Sequence, residues 1–311
     1  MLTFGPVPSR RLGRSLGIDN IPPKACSYAC TYCQVGPTTT HTIERRRFYG
    51  AERVLEEVED HLARAGGPDA VDALTFVPDG EPTLDVDLGR EIEGARRLGV
   101  HIAVITNGSL LASRDVRSVL LRANPVSIKV DALEDRVWHR VNRPPRGLRL
   151  DGVLEGVRAF AAAYEGRLWT ETMLVEDFNE SEEDLRATAE FLEQLNPAVA
   201  NLSIPTRPPA EKRVRPPGEL VLSLAFGIVS ERLPRVEVLS GYEGDAFACS
   251  GDARRDILSI TAVHPMRESA VRKTLAGAGV DWEVVAELLE SGQLVEVEYK
   301  GHRYYLRPIV T

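Results

Sequence analysis

The chain has few cysteines, no long apolar run and no excess of positive charge. No stretch approaches the roughly 20 apolar residues that a helix needs to span a bilayer. The first 14 residues carry basic side chains but no apolar core behind them, so no signal peptide is expected. The expectation is a cytoplasmic protein with no membrane association. Lys and Arg number 38 against 46 Asp and Glu, a net charge of -8. That excludes a protein held to nucleic acid by bulk electrostatics, although not one with a local basic patch. Repeats and low-complexity tracts are also missing. What is present, 43% hydrophobic and 27% charged residues over 311 positions, is the composition of a globular protein with room for one large and one small domain.

Short apolar runs alternate with amphipathic stretches. Runs at 15–19, 74–77, 102–105, 126–130, 168–175 and 199–204 read as strands, and most end in polar or glycine-bearing residues. Between them, 52–64, 87–98, 113–121, 151–164 and 181–195 carry helical periodicity. In the first of these, Val54, Leu55, Val58 and Leu62 share a face, and Ser181 with Asp184 marks a helix start. About six strand–helix units predict an α/β fold with a parallel sheet, better suited to a partial (β/α)6 barrel than to eight units. Prolines 205, 208, 209, 216 and 217 make 206–218 a loop over the end of that barrel, followed by a helix at 218–232 and a strand at 236–239.

The predicted division is therefore a body at 1–240, a linker at 241–253 and a module at 254–311. In the module, a helix opening at Pro265 and another after Asp281 precede two strands around the turn Lys300-Gly301-His302, a winged-helix-like pattern. Its eight basic and eight acidic residues cancel, which makes DNA an unfavoured partner.

Three of the four cysteines, Cys26, Cys30 and Cys33, stand in a Cys-x3-Cys-x2-Cys array with Tyr32 before the last. In a reducing compartment such a group suggests a metal site rather than a disulfide framework. Thiolates suit zinc or iron–sulfur. A closed zinc site wants four ligands, and no fourth stands at the usual spacing. Three thiolates on a four-iron cluster leave one iron open. Iron–sulfur is thus favoured over zinc and over simply buried thiols, with Cys249 a bystander.

This array resembles the cluster signature of the radical S-adenosylmethionine (radical SAM) superfamily, over roughly residues 1–240. The opening Phe4-Gly5-Pro6-Val7-Pro8-Ser9-Arg10-Arg11-Leu12-Gly13 resembles a subgroup near the tRNA wyosine synthases and the activating enzymes of glycyl-radical proteins. The resemblance implies a [4Fe-4S] cluster ligated by Cys26, Cys30 and Cys33, with S-adenosylmethionine chelated at the open iron. It also implies reductive cleavage of the sulfonium C–S bond and hydrogen abstraction from substrate by a 5′-deoxyadenosyl radical. An external flavodoxin- or ferredoxin-like donor, and an RNA base or a protein or peptide as substrate, are the partners it implies.

The same resemblance gives meaning to the strand ends. Gly80, Glu81 and Pro82 match a Gly-Gly-Glu-Pro stretch that contacts the methionine amino group, with Asp79 in place of the first glycine; the plain alternative is a Gly-Pro turn. Asn107 is expected at the ribose or carboxylate of the cofactor, or else in a simple Asx turn. Lys129 and Asp131 project to one side of their strand, where the lysine is expected to pair with the cofactor carboxylate or with substrate, or else the two form a mutual salt bridge. Glu171 and Met173 are candidates for the adenine or sulfonium region, against an ordinary core position for the methionine. Arg10, Arg11 and Arg14 read as a solvated edge or an anion contact at the barrel mouth, and Arg143 as an anion ligand or a solvated side chain. A reading of another class is an iron–sulfur redox-sensing regulator that acts through the winged helix.

Overall fold

A computed structural model describes residues 2–241, 247 and 251–308. The chain opens with β1 (Thr3–Ser9) and β2 (Gly13–Ile18), then the short β3 (Ala25–Cys26) and β4 (Thr40–His41). There follow α1 (Ala51–Arg64), β5 (Ala73–Phe76), α2 (Leu88–Arg96), β6 (His101–Thr106), α3 (Arg114–Leu120) and β7 (Val126–Lys129). Then come α4 (Asp135–Val141), α5 (Leu150–Ala163), β8 (Leu168–Met173), α6 (Glu182–Leu195), β9 (Val199–Ser203), α7 (Glu219–Ser230) and β10 (Val236–Leu239). The C-terminal elements are α8 (Ala253–Val263), β11 (Met266–Arg267), α9 (Glu268–Ala278), α10 (Glu283–Glu290), β12 (Val295–Tyr299) and β13 (His302–Leu306).

The main sheet runs β1-β2-β5-β6-β7-β8-β9-β10. Every pair from β2 onward is parallel, and β1 alone is antiparallel to its neighbour. Parallel neighbours need crossover connections, and right-handed crossovers taken in simple order put every helix on one face. The other face is left for a site fed by strand C-termini. β1 and β10 do not pair, so the sheet is an open arc. β5 is buried on both faces, as its continuous apolar run requires.

The apolar core lies between sheet and helices. Val54, Val58 and Leu62 of α1 join Leu74, Phe76, Val104 and Ile128 of the strands there. Each such side chain contributes about 1.5–3 kcal/mol on burial. Ser181 caps α6 as its sequence suggests, its Oγ accepting from the Asp184 amide at 3.1 Å.

β1 is absent from the strands expected above. Its prolines at 6 and 8 argue against a central strand, and the fold resolves this by placing it at the sheet edge. Phe4 lies over Gly17 of β2, where a Cβ would stand 2.0 Å from the ring, so a residue with no side chain is required there. The helix expected from Pro265 begins instead at Glu268. Pro265 favours extended backbone at His264 (φ -140, ψ 99), and the chain stays extended so that Met266 and Arg267 pair with β13. The C-terminal elements make a three-stranded sheet ordered β11-β13-β12. Ile257, Ile260, Met266, Val271 and Tyr305 form a second core that also takes in Phe4 and Val7 of β1. No helix among the described residues is long and apolar enough to cross a membrane. Cys249 and most of the 241–253 linker lie outside the described residues.

Candidate active site

The cysteines sit at the C-terminal edge of the parallel strands, in the loop after β2. Two contacts seat this loop. The Lys24 amide donates to the Asp79 carbonyl at 2.7 Å, and the Glu81 amide to the Ala25 carbonyl at 3.1 Å. The approach is so close that a Cβ on Gly80 would stand 1.9 Å from the Ala25 oxygen, which explains glycine at this position. All three cysteines are free thiols. Burial pushes each of them up, Cys30 to about 12, and nearby negative charge adds to the rise, from Cys30 and Glu81 at Cys26 and from Asp131 at Cys30. Side-chain amides reach two of the sulfurs, Asn107 Nδ2 at 3.6 Å from Cys26 and Asn142 Nδ2 at 3.5 Å from Cys30, and the Tyr28 backbone amide also donates to Cys26 at 3.5 Å.

The thiols line a cavity of about 340 Å³. Gly80, Glu81, Asn107, Lys129, Glu171, Met173 and Tyr32 line it too, so the structure brings together most of the residues singled out in the sequence. A second groove, between α4 and the start of α6, contains none of the thiols.

Glu81 is fully engaged. Its carboxylate accepts from the Thr83 amide at 3.1 Å, from Thr83 Oγ1 at 2.5 Å, from Thr106 Oγ1 at 2.6 Å and from the Asn107 amide at 2.8 Å. Burial raises its pKa, and these donors work against the rise. Asn107 in turn donates to Ser27 Oγ at 2.9 Å and accepts from the Ser109 amide at 2.9 Å.

Lys129 and Asp131 do not bridge each other. Lys129 Nζ pairs with Glu171 at 2.8 Å and lies over the Tyr32 ring at 5.4 Å. Arg11 reaches the other oxygen of Glu171 at 2.9 Å. Burial alone would raise the Glu171 pKa, but Lys129 and then Arg11 overcome it and bring the carboxyl to about 2. Asp131 turns away from the cavity. It accepts from the Tyr32 hydroxyl, from Asn142 Nδ2 at 2.7 Å and from the Met173 amide at 2.8 Å. Pro82 also lies outside the cavity lining, because it opens a one-turn 3-10 helix at Pro82–Leu84. Met173 packs against the cluster of Tyr28, Trp138 and Val175.

The basic stretch divides. Arg14 is exposed and pairs with Asp72, whereas Arg11 turns inward to Glu171 and Ser127. Arg143 pairs with Glu211. Sequence reasoning missed Lys24, whose ammonium pairs with Asp79 at 2.9 Å beside the cysteine loop. The departure from glycine at Asp79 was its signal, since a buried carboxylate needs a cation. Burial pushes Asp79 up to about 6, and Lys24 opposes the shift.

An open parallel sheet that gathers three free thiols, side-chain amides that reach two of the sulfurs and a buried ion triad at its strand ends is the frame of a cofactor-dependent iron–sulfur enzyme. The chain belongs to the radical SAM superfamily, whose model matches residues 20–192. It is 43% identical over 310 residues to UPF0026 protein MJ1312 of Methanocaldococcus jannaschii, covering 99% of this chain and 96% of that one. It is 36% identical over 207 residues to UPF0026 protein slr1464 of Synechocystis, 66% and 76% of the two chains. Among solved structures it resembles Streptococcus suis SuiB bound to S-adenosylmethionine, with a TM-score of 0.52 and 14% identity. That match covers 71% of this chain and 49% of SuiB, so the chain spans about half of the SuiB length. A radical SAM methyltransferase from Sphaerobacter thermophilus gives a TM-score of 0.51 at 16% identity, covering 73% and 66%. At these identities the likeness is one of fold. Superfamily members are enzymes that use a [4Fe-4S] cluster and S-adenosylmethionine, and these are the cofactors of this chain. The comparisons give no support to a redox-sensing regulator.

Proposed function

We propose that the chain cleaves S-adenosylmethionine reductively and uses the 5′-deoxyadenosyl radical to take hydrogen from a substrate held in the 340 Å³ cavity. The observation that carries this reading is the convergence of Cys26, Cys30 and Cys33 with the polar strand ends on that one cavity. When bound, the cluster supplies the single electron that breaks the C5′–S bond, releasing methionine. Cys26, Cys30 and Cys33 would hold it, and three protein ligands would leave room for the cofactor to bind at the cluster. The residues fit such a group: the thiols are unpaired, and Asn107 and Asn142 present N–H donors to sulfur, a known means of tuning a cluster.

In this reading Gly80 and Glu81 hold the strand-end ridge against the methionine amino group. Asn107 faces the ribose, and Lys129, backed by Glu171, faces the carboxylate. Asp131 and Pro82 act through neighbours: Asp131 positions Tyr32, and Pro82 fixes the turn behind Glu81. Met173 packs beside the adenine region. Electrons come from an external flavodoxin- or ferredoxin-like donor.

Residues 254–311 are read as a winged-helix-like module joined to the 1–240 body through 241–253, and the order helix, strand, two helices, two strands supports it. A peptide or protein substrate is favoured over RNA, because Arg254, Arg272 and Arg303 of this module are each tied to a glutamate. The test is anaerobic reconstitution, with iron and sulfide counted, then reduction with S-adenosylmethionine and product analysis. About four irons per chain and equal 5′-deoxyadenosine and methionine are expected. Cys26→Ala, Cys30→Ala and Cys33→Ala should each lose the cluster. Methylthioadenosine or S-adenosylhomocysteine as sole product would refute the reading.

A further inference from the structure

One face of the molecule runs against the overall charge. In a chain of net charge -8, residues 143–149 and 211–215 hold six basic side chains and one acid, Glu211. All six basic residues are exposed. Glu211 joins the two segments into one surface, since it pairs with Arg143 of the first and with Arg213 of the second. Leu148 and Val214 turn inward from them to one apolar cluster, which also takes in Cys30. Arg149 is held by Asp151 at 2.7 Å. Among the described residues Arg146, Lys212 and Arg215 enter no ion pair, so their charges face solvent uncompensated.

This surface lies directly behind the cysteine loop. The Ala29 amide donates to the Asn142 carbonyl at 3.0 Å, the Thr31 amide to the Val141 carbonyl at 3.0 Å, and the Glu211 amide to the Thr31 carbonyl at 3.1 Å. Alternate residues of the same loop, Tyr28, Cys30 and Tyr32, line the cavity, and none of the six basic residues does. The loop therefore separates the basic face from the chamber, with Cys30 between them. A substrate must enter the chamber. An electron donor needs only to come close to the cluster, because electron transfer falls steeply with distance. A face outside the chamber, next to a cluster ligand, suits the second task. The rest of the molecule carries the net negative charge and disfavours an acidic partner elsewhere.

We propose that residues 143–149 and 211–215 dock an acidic electron-carrier protein, which passes one electron to the cluster from the Cys30 side. The carrier is oxidised by one electron and the cluster reduced by one, and no bond is made or broken. The docking face rests on the reading of the three thiols as ligands of a redox cluster, and it gives the external donor a defined place. Complexes of electron carriers are small and steered by charge, so this one weakens with salt.

The test uses the reconstituted full-length enzyme, with a purified bacterial flavodoxin and a purified ferredoxin in separate arms. Surface plasmon resonance reads binding, and stopped-flow bleaching of the cluster absorbance reads electron transfer. One carrier or both should bind at low salt and lose about tenfold in affinity by about 0.15 M salt. Arg146→Glu combined with Lys212→Glu and Arg215→Glu should weaken binding and slow electron transfer by about tenfold or more. Dithionite-driven formation of 5′-deoxyadenosine should stay at the wild-type rate, since a small reductant needs no docking face. Arg146→Lys with Arg215→Lys keeps the charge and should bind like wild type. Circular dichroism and iron content show whether each variant is intact, and the single glutamate variants carry the test if the triple one is not. Binding by neither carrier overturns the docking face, as does unchanged binding in the triple variant. An equal loss with dithionite also overturns it, since the substitutions would then act on the site itself. Bulk tRNA that binds more tightly than either carrier, and is released by the same substitutions, overturns it by giving the face to nucleic acid. A carrier that binds and reduces the cluster while no 5′-deoxyadenosine forms supports the docking face and refutes the radical reading instead.

Discussion

Glu171 offers the sharpest quantitative test of the site, because it stands between two cations with little water. Its carboxylate takes Lys129 at 2.8 Å and Arg11 at 2.9 Å, and its side chain is 10% exposed. Its pKa falls from 4.5 to about 2. A depressed carboxyl contributes stability that is present above its unfolded pKa and is lost as pH falls through its folded pKa. Linkage over that shift gives about 3 kcal/mol at pH 6 and roughly half of that at pH 3. Glu171→Gln keeps the shape and removes the charge, leaving Lys129 and Arg11 as partly buried cations, a change that costs about 3–5 kcal/mol when one partner of a buried pair is lost. Urea unfolding of wild type and Glu171→Gln, repeated from pH 6 to pH 3, reads the effect as a difference, so titrations common to both chains cancel. The two curves should differ by about 3 kcal/mol at pH 6 and converge on acidification. Lys129→Met added to Glu171→Gln should recover part of the loss, since it removes one orphaned cation. A variant within 1 kcal/mol of wild type at pH 6, or a gap that does not narrow with acid, would refute the argument.

Other sites give further expectations. Gly80→Ala should cut iron retention by more than half, because the new Cβ meets the Ala25 carbonyl next to Cys26; iron per chain after desalting measures it. Burial and then the nearby Asp85 raise Glu91 to about 8, so wild-type stability should fall as pH rises from about 5 to 8. Glu91→Gln should flatten that slope by an amount on the order of 1–3 kcal/mol in urea unfolding, and an unchanged slope would assign it to other groups. Tyr299→Phe with Tyr304→Phe removes both hydroxyls from the 205–206 carbonyls and should cost about 2 kcal/mol. An unshifted urea midpoint would show that water replaces them.

The elements that periodicity can reveal were legible. Strands buried on both faces and helices with an apolar stripe follow from local pattern alone, and the cysteine array marked the site. What was hidden depended on partners distant in sequence. β1 carries two prolines and looks irregular until β2 and the C-terminal core give it a place at the edge. Lys129 and Asp131, two residues apart on one side of a strand, suggested a pair. Yet the parallel register sets Lys129 against Glu171, and the loop carrying Tyr32 claims Asp131. Arg11 could not be told from Arg14 by spacing, because what separates them is a carboxylate 160 residues away rather than anything local.

The hydrogen bonds around Glu81 explain why a buried carboxylate is kept where an apolar residue would cost less. Its two oxygens gather donors from its own turn and from the end of β6, so one charge fixes two adjacent strand ends. Through Asn107, which also donates to Ser27, the same network reaches the Cys26 sulfur. Each link alone is worth about 1 kcal/mol, but members of a buried network hold one another in place. Amide-to-sulfur geometry thus depends on a carboxylate that does not touch the thiols. Replacing Glu81 with glutamine would put an amide N–H among groups that already donate, and at least one buried donor would lose its acceptor. The site is therefore organised from the sheet outward: strand register sets the carboxylate, the carboxylate sets Asn107, and Asn107 helps to set Cys26.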